Sequence, residues 1–201
     1  MSHFTVTVAL PAETDAGAIS TVLAEALAPF DENREADPYI SHSKADIALD
    51  ARYQKFRDEH PECTPEDWYG GRVDAEGNIL STYNPNAQWD WWAIGGRWGG
   101  YWTVRDASTK ALTEPSAFGM NADAADPARA DVARVADIES EALNPTFAFI
   151  DLDGTWHEKG QMGWWGMTRD EKDDDEWATR YLKWFSELPR QTWLVCVDCH
   201  I

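Results

Sequence analysis

Three residues able to exchange protons or ligate a metal stand at the two ends of the chain: His3, Asp198 and His200. Two imidazoles and a carboxylate suit general acid–base chemistry, with the carboxylate orienting a histidine. With a fourth ligand they also suit a metal, although no metal is assigned here. On an extended segment Cys196, Asp198 and His200 share one face and Cys199 points to the other. These residues therefore support an enzyme reading, a hydrolase with or without a metal. They equally support a buried His–Asp hydrogen bond that ties the termini together. Cys196-Val197-Asp198-Cys199-His200 also has the spacing of a c-type haem attachment site, but it falls in a predicted strand rather than an open loop.

A second set of residues suits binding. Five of the twelve tryptophans fall within the fourteen residues Trp89 to Trp102, which include Gly95-Gly96-Arg97-Trp98-Gly99-Gly100, and Gly163-Trp164-Trp165-Gly166 follows downstream. Indole faces stack on nucleobases, sugars and other flat ligands, and glycine lets backbone approach a ligand closely. Arg97 can stack on an indole or fork onto a carboxylate or phosphate. The same residues could instead be aromatic core and an internal ion pair of Arg97 with Asp90 or another acidic group. The candidate ligand-binding residues are Trp91, Trp92, Gly95, Gly96, Arg97, Trp98, Trp164 and Trp165.

Other motifs carry less. Phe149-Ile150-Asp151-Leu152-Asp153-Gly154-Thr155 matches the Asp-x-Asp-Gly-Thr of haloacid dehalogenase phosphatases, whose first Asp is a nucleophile. That motif belongs on the first strand of a doubly wound fold, and too few residues follow it here. Asp-Gly between short strands is also a hairpin turn. No phosphate-binding glycine loop is present, and Cys63 is too near His60 in sequence to suggest a dyad.

A net charge of −19 over 201 residues opposes binding to a nucleic-acid backbone and leaves open an acidic mimic of nucleic acid. The carboxylates cluster in loops and first helical turns, which counts against a mimic. Three cysteines, Cys63, Cys196 and Cys199, do not form a disulfide framework. Neither a signal peptide nor a membrane-length apolar run is read, so a cytoplasmic location is expected.

The elements that would position these residues follow from periodicity. Phe4, Val6 and Val8 alternate with polar residues in a strand over 3–10. Ile19, Val22, Leu23, Ala26, Leu27 and Phe30 follow at helical spacing, and a weaker helix spans 44–59. A short helical turn begins at Thr64-Pro65, and hairpins are predicted over 73–83 and 147–158. A modest helix is expected between Pro127 and Leu143. The strongest helix opens at Thr168 and carries Trp177, Tyr181, Trp184, Phe185 and Leu188; a last strand spans 192–200. This order predicts an α+β fold. It has an antiparallel sheet, helices mainly on one face, and the terminal strands paired as in a ferredoxin-like domain. His3 would then lie beside Asp198, Cys199 and His200. A single domain over 1–201 is expected, with a mobile insertion at about 106–145.

Several strings resemble one group of proteins together: the opening Met1-Ser2-His3-Phe4-Thr5-Val6, then Leu27-Ala28-Pro29-Phe30-Asp31-Glu32-Asn33, Trp89 to Trp98, Gly163 to Met167, Asp170 to Trp177, and the ending Val197-Asp198-Cys199-His200-Ile201. The group is encoded by tailed bacteriophages and prophage-bearing bacteria. The resemblance implies an intracellular accessory role in an infected host and no particular reaction. Combined with the Trp–Gly blocks, it leads to an accessory protein that binds a small, nucleotide-like ligand or a host factor, as in counter-defence. A hydrolase built on His3, Asp198 and His200 and an acidic mimic remain the alternatives. Neither a cofactor nor an oligomeric state is indicated.

Overall fold

Alternating apolar residues at both ends of the chain build the centre of a sheet. The computed structural model describes residues 2–106, 126, 128–163 and 166–201. In chain order the strands are β1 His3–Leu10, β2 Tyr39–His42, β3 Arg72–Val73, β4 Ile79–Ser81, β5 Trp91–Ile94, β6 Trp102–Thr103 and β7 Arg129–Ala130. They continue with β8 Val132–Arg134, β9 Ala148–Ile150, β10 Trp156–Glu158, β11 Gln161–Met162, β12 Thr168–Arg169 and β13 Trp193–His200. The helices are α1 Ile19–Leu27, α2 Lys44–Leu49, α3 Ala51–Glu59, α4 Pro65–Tyr69 and α5 Asp174–Glu187. Among the described residues no helix is long and apolar enough to cross a membrane.

Contacts group the chain into two compact units, 1–31 with 88–201 and, between them in sequence, 32–87. The first unit holds the main sheet, in the order β10-β9-β1-β13-β5, with β8 also on β13. The α+β fold and the antiparallel pairing of the terminal strands are as expected; β1 and β13 pair along their full length, from His3 opposite His200 to Leu10 opposite Trp193. The sheet departs from a ferredoxin-like one at the 147–158 hairpin. There the first hairpin strand, β9, lies beside β1 and runs parallel to it. A parallel pair needs a long crossover, which the chain between β1 and β9 supplies.

The helices divide between the two faces, which corrects the expectation that they lie mainly on one. Phe4, Val6, Val8 and Leu10 of β1 and Val195, Val197 and Cys199 of β13 pack with Ile19, Leu23 and Leu27 of α1. Ala9, Leu194, Cys196 and Phe149 pack on the other side with Trp177, Tyr181 and Phe185 of α5. Central strands buried on both faces need cover on both, so one helix goes to each. Even Thr7 is buried, and its hydroxyl bonds Tyr181 Oη at 2.8 Å and Thr146 Oγ1 at 3.0 Å.

Three further expectations are corrected. The segment after Pro127 is strand, not helix: β8 pairs with Trp193–Val195 of β13 and buries Val132 and Ala133. Pairing to a central strand overrides the helix preference of an alanine-rich segment. Helix α5 starts at Asp174 because Thr168 and Arg169 pair with Met162 and Gln161; Asp173 caps it through the amides of Asp175 and Glu176. The 44–59 helix breaks at Asp50, whose backbone is extended and whose carboxylate caps α3. Of the segment expected to be mobile, residues 107–125 and 127 lie outside the described residues, whereas 128–145 form β7, β8 and two short 3-10 turns.

The second unit builds the hairpin β3–β4, with β2 beside β4. Its core is Ile47, Tyr53 and Ile79, with Trp68, Tyr69 and Val73 against them. Ser43 and Thr64 each make a reciprocal capping box, with Asp46 and Asp67 respectively.

Candidate functional site

The register of β1 and β13 sets His3 opposite His200 and Thr5 opposite Asp198. His3 Nδ1 lies 2.8 Å from Asp198 Oδ1, so the expected His–Asp pair between the termini forms. His200 Nδ1 has its own carboxylate, Asp90 Oδ1 at 2.5 Å, and the Asp90 amide donates to the His200 carbonyl. The two imidazoles meet edge to face, with centroids 4.8 Å apart. A carboxylate only accepts, so both Nδ1 atoms carry protons and both Nε2 atoms are left for other partners. His200 Nε2 is buried and has no hydrogen-bond partner among the described residues. Among the described residues no group of three or more His, Cys, Asp and Glu is arranged to hold a metal.

The Trp–Gly block is built around two buried carboxylates. Asp198, fully buried, accepts from the Arg97 amide at 2.9 Å as well as from His3. Asp131 accepts from the Tyr101 amide at 3.0 Å. Gly95 and Gly96 have φ of 66° and 50°, and a Cβ on them would overlap the Asp131 and Asp198 side chains respectively. Their missing side chains thus admit the chain's own carboxylates, at a turn that only glycine adopts without strain. Two hydrogen-bond donors on Asp198 compensate the burial of its charge.

The tryptophans of the block part company because β5 has two faces. Trp92 packs, half-buried, against the α1 core, and Trp89 is buried with Nε1 donating to the Leu27 carbonyl. Trp91 lies on the other face, 39% exposed, with its ring 6.2 Å from that of His3. Trp98 is half-buried in the short turn after Gly95. The Arg97 side chain is exposed and closes no ion pair with a described residue; the carboxylate of Asp90, its suggested partner, bonds His200. Trp164 and Trp165 lie outside the described residues.

The structure therefore brings together His3, Asp198, His200, Trp91 and the Arg97 backbone, and turns Trp92 into the core. It adds Asp131, and it makes Asp90 the partner of His200. Asp90 had a signal, since it immediately precedes the strand that pairs with β13. Asp131 had none, being in a segment read as helix.

The other motifs resolve into structure. Asp151 Oδ1 accepts from the Asp153 and Thr155 amides in the β9–β10 turn. Asp153 Oδ1 in turn accepts from the Thr155 hydroxyl at 2.6 Å and from the Thr155 amide at 2.9 Å. Asp151 Oδ2 lies 2.9 Å from His157 Nε2, and Arg180 donates to His157 Nδ1 at 2.7 Å. Arginine only donates, so His157 is neutral at Nδ1 and carries its proton on Nε2. Cys196 and Cys199 are buried on opposite faces of β13, and burial pushes both thiols well up, which does not suit haem attachment. Compared with protein-family profiles, curated proteins and solved structures, the chain matches none.

Proposed function

We propose that the face around Trp91, Arg97, His3 and His200 binds a small anionic ligand carrying a flat ring, a nucleotide-like molecule. The carrying observation is Asp198. One buried carboxylate holds both the imidazole of His3 and the backbone of Arg97, so an exposed guanidinium stands on a rigid anchor. Exposed Trp91 lies within ring-contact distance of the same histidine. In this reading Arg97 forks onto the anionic group, Trp91 stacks on the ring, and the imidazoles line the seat. The charge of −19 disfavours a long polyanion and is tolerable for a small ligand. In the phage setting implied by the resemblance, sequestering a host nucleotide signal would blunt a defence.

Calorimetric titration with mono-, di- and cyclic nucleotides and with sugars tests this. Binding by at least one nucleotide is expected, weakened about tenfold or more by Arg97→Gln and by Trp91→Ala, as one ion-paired hydrogen bond or one stacked base predicts. A panel without heat or thermal shift would sink the proposal. A second reading, hydrolysis, rests on the two imidazoles, each oriented by a carboxylate through Nδ1. Product analysis of the same titrations decides it: cleavage that stops in His3→Ala supports it, and unchanged ligand refutes it.

A further inference from the structure

The second unit contains a cleft of about 530 Å³, lined in part by Glu32, Arg34, Glu35, Arg72, Leu80 and Tyr83. This volume lies within the roughly 300–1,000 Å³ of small-ligand sites. The cleft forms where Gly70, at φ 70°, ends α4 and reverses the chain into β3, bringing Arg72 opposite Leu80 of β4. The segment 32–35 supplies the rest of its charge.

The charges are unusual for this chain. Acidic residues outnumber Lys and Arg by 36 to 17, so a guanidinium has carboxylates to spare. Nevertheless, Arg34 and Arg72 close no ion pair within 4.0 Å of any described residue. Glu32 bonds the Tyr83 hydroxyl, and Glu35 likewise closes no ion pair. Groups of both signs thus line one cleft without neutralising one another. Leu80 and the ring of Tyr83, itself 54% exposed, add apolar surface.

We propose that this cleft binds a small zwitterion, a free amino acid with an apolar side chain. The planar fork of an arginine matches a carboxylate, and Glu35 matches an ammonium group. Leu80 and Tyr83 take up the apolar side chain. A dianion such as a phosphate monoester fits less well, because Glu32 and Glu35 share the wall with the arginines. A neutral zwitterion is also indifferent to the long-range field of a −19 protein. The site shares no residue with the one proposed above and does not depend on it.

The test is titration of the full-length protein, by calorimetry and by amide NMR shifts, with L-phenylalanine and L-leucine. The control ligands are N-acetyl-phenylalanine, phenylalaninamide and inorganic phosphate. Free amino acids are expected to bind and to shift amides of 32–38 and 70–83. Each blocked form should bind about tenfold or more weakly, the loss of one charged contact. Arg72→Gln and Arg34→Gln should weaken the free amino acid to a similar degree. Glu35→Gln should weaken the free amino acid and leave the N-acetyl form unchanged. All three side chains are exposed, so retained circular dichroism is expected, and a fold lost in one variant leaves the other two to decide. The proposal is overturned if free amino acids do not bind, if the blocked forms bind equally well, or if phosphate binds more tightly.

Discussion

Replacing Gly96 by alanine separates two explanations of the Gly95-Gly96 pair. If these glycines serve a ligand, the fold should tolerate a methyl group at only the backbone cost. If they serve Asp198, the fold itself should suffer. Gly96 sits at φ 50°, and an L-residue there costs about 1–2 kcal/mol. The new Cβ would also overlap the Cβ, Cγ and Oδ2 of Asp198, which belongs to a central strand paired on both sides. Such overpacking adds about 1–3 kcal/mol. Gly154 is the internal control, because it has φ 85° and, its chain neighbours aside, no heavy atom of a described residue lies within 4 Å of where its methyl group would sit. Gly154→Ala should therefore cost only the backbone part, about 1–2 kcal/mol. The expected difference of about 1–3 kcal/mol corresponds to roughly 1 M in urea midpoint for a typical slope. Urea unfolding followed by tryptophan fluorescence measures it, with an unchanged slope as the check that the same transition is compared. Equal losses in the two variants would refute the claim that Asp198 is pinned against Gly96.

Two further outcomes follow from the carboxylates. Asp198→Asn removes a fully buried charge that accepts from both His3 and the Arg97 amide, and should cost about 3–5 kcal/mol, against about 0.5–1.5 for Asp90→Asn at a side chain 31% exposed; equal thermal midpoints for the two variants would refute this ranking. In the second unit Asp46, Asp50, Asp67 and Asp74 are held below their usual 3.8, chiefly by hydrogen bonds from Ser43, Tyr69, Thr64 and Asn78 respectively. Because the folded values lie below the unfolded one, their stabilisation is complete above 3.8 and is lost as pH falls through the folded values. Amide protection of α2, α3 and α4, corrected for intrinsic exchange, should fall over that acidic window, and full protection below it would contradict the assignment.

Much of the first unit was legible in local pattern. The alternation of Phe4, Val6 and Val8 and the run Trp193 to Val197 are strand signals that need no partner to be read. Two chain ends that read strand–helix and helix–strand are enough to place β1 beside β13, and hence His3 beside Asp198 and His200. The hairpins at 72–81 and 148–158 were legible for the same reason, as turn residues between short apolar runs.

Everything that depends on which surface an element meets had to wait for the assembled fold. A helix's apolar stripe does not say which face of a sheet it covers; only a sheet buried on both sides sends α1 and α5 apart. The segment 128–134 reads as helix in isolation and becomes strand because β13 offers it an unpaired edge of backbone. Local pattern is enough to bring His3, Asp198 and His200 together and to mark out the Trp–Gly block. It did not determine that buried Asp131 and Asp198 underlie the glycines, that Asp90 holds His200, or that Trp91 and Trp92 face opposite ways. Those facts are long-range pairings between residues far apart in the chain, and a pairing exists only once the strands that carry both partners have met.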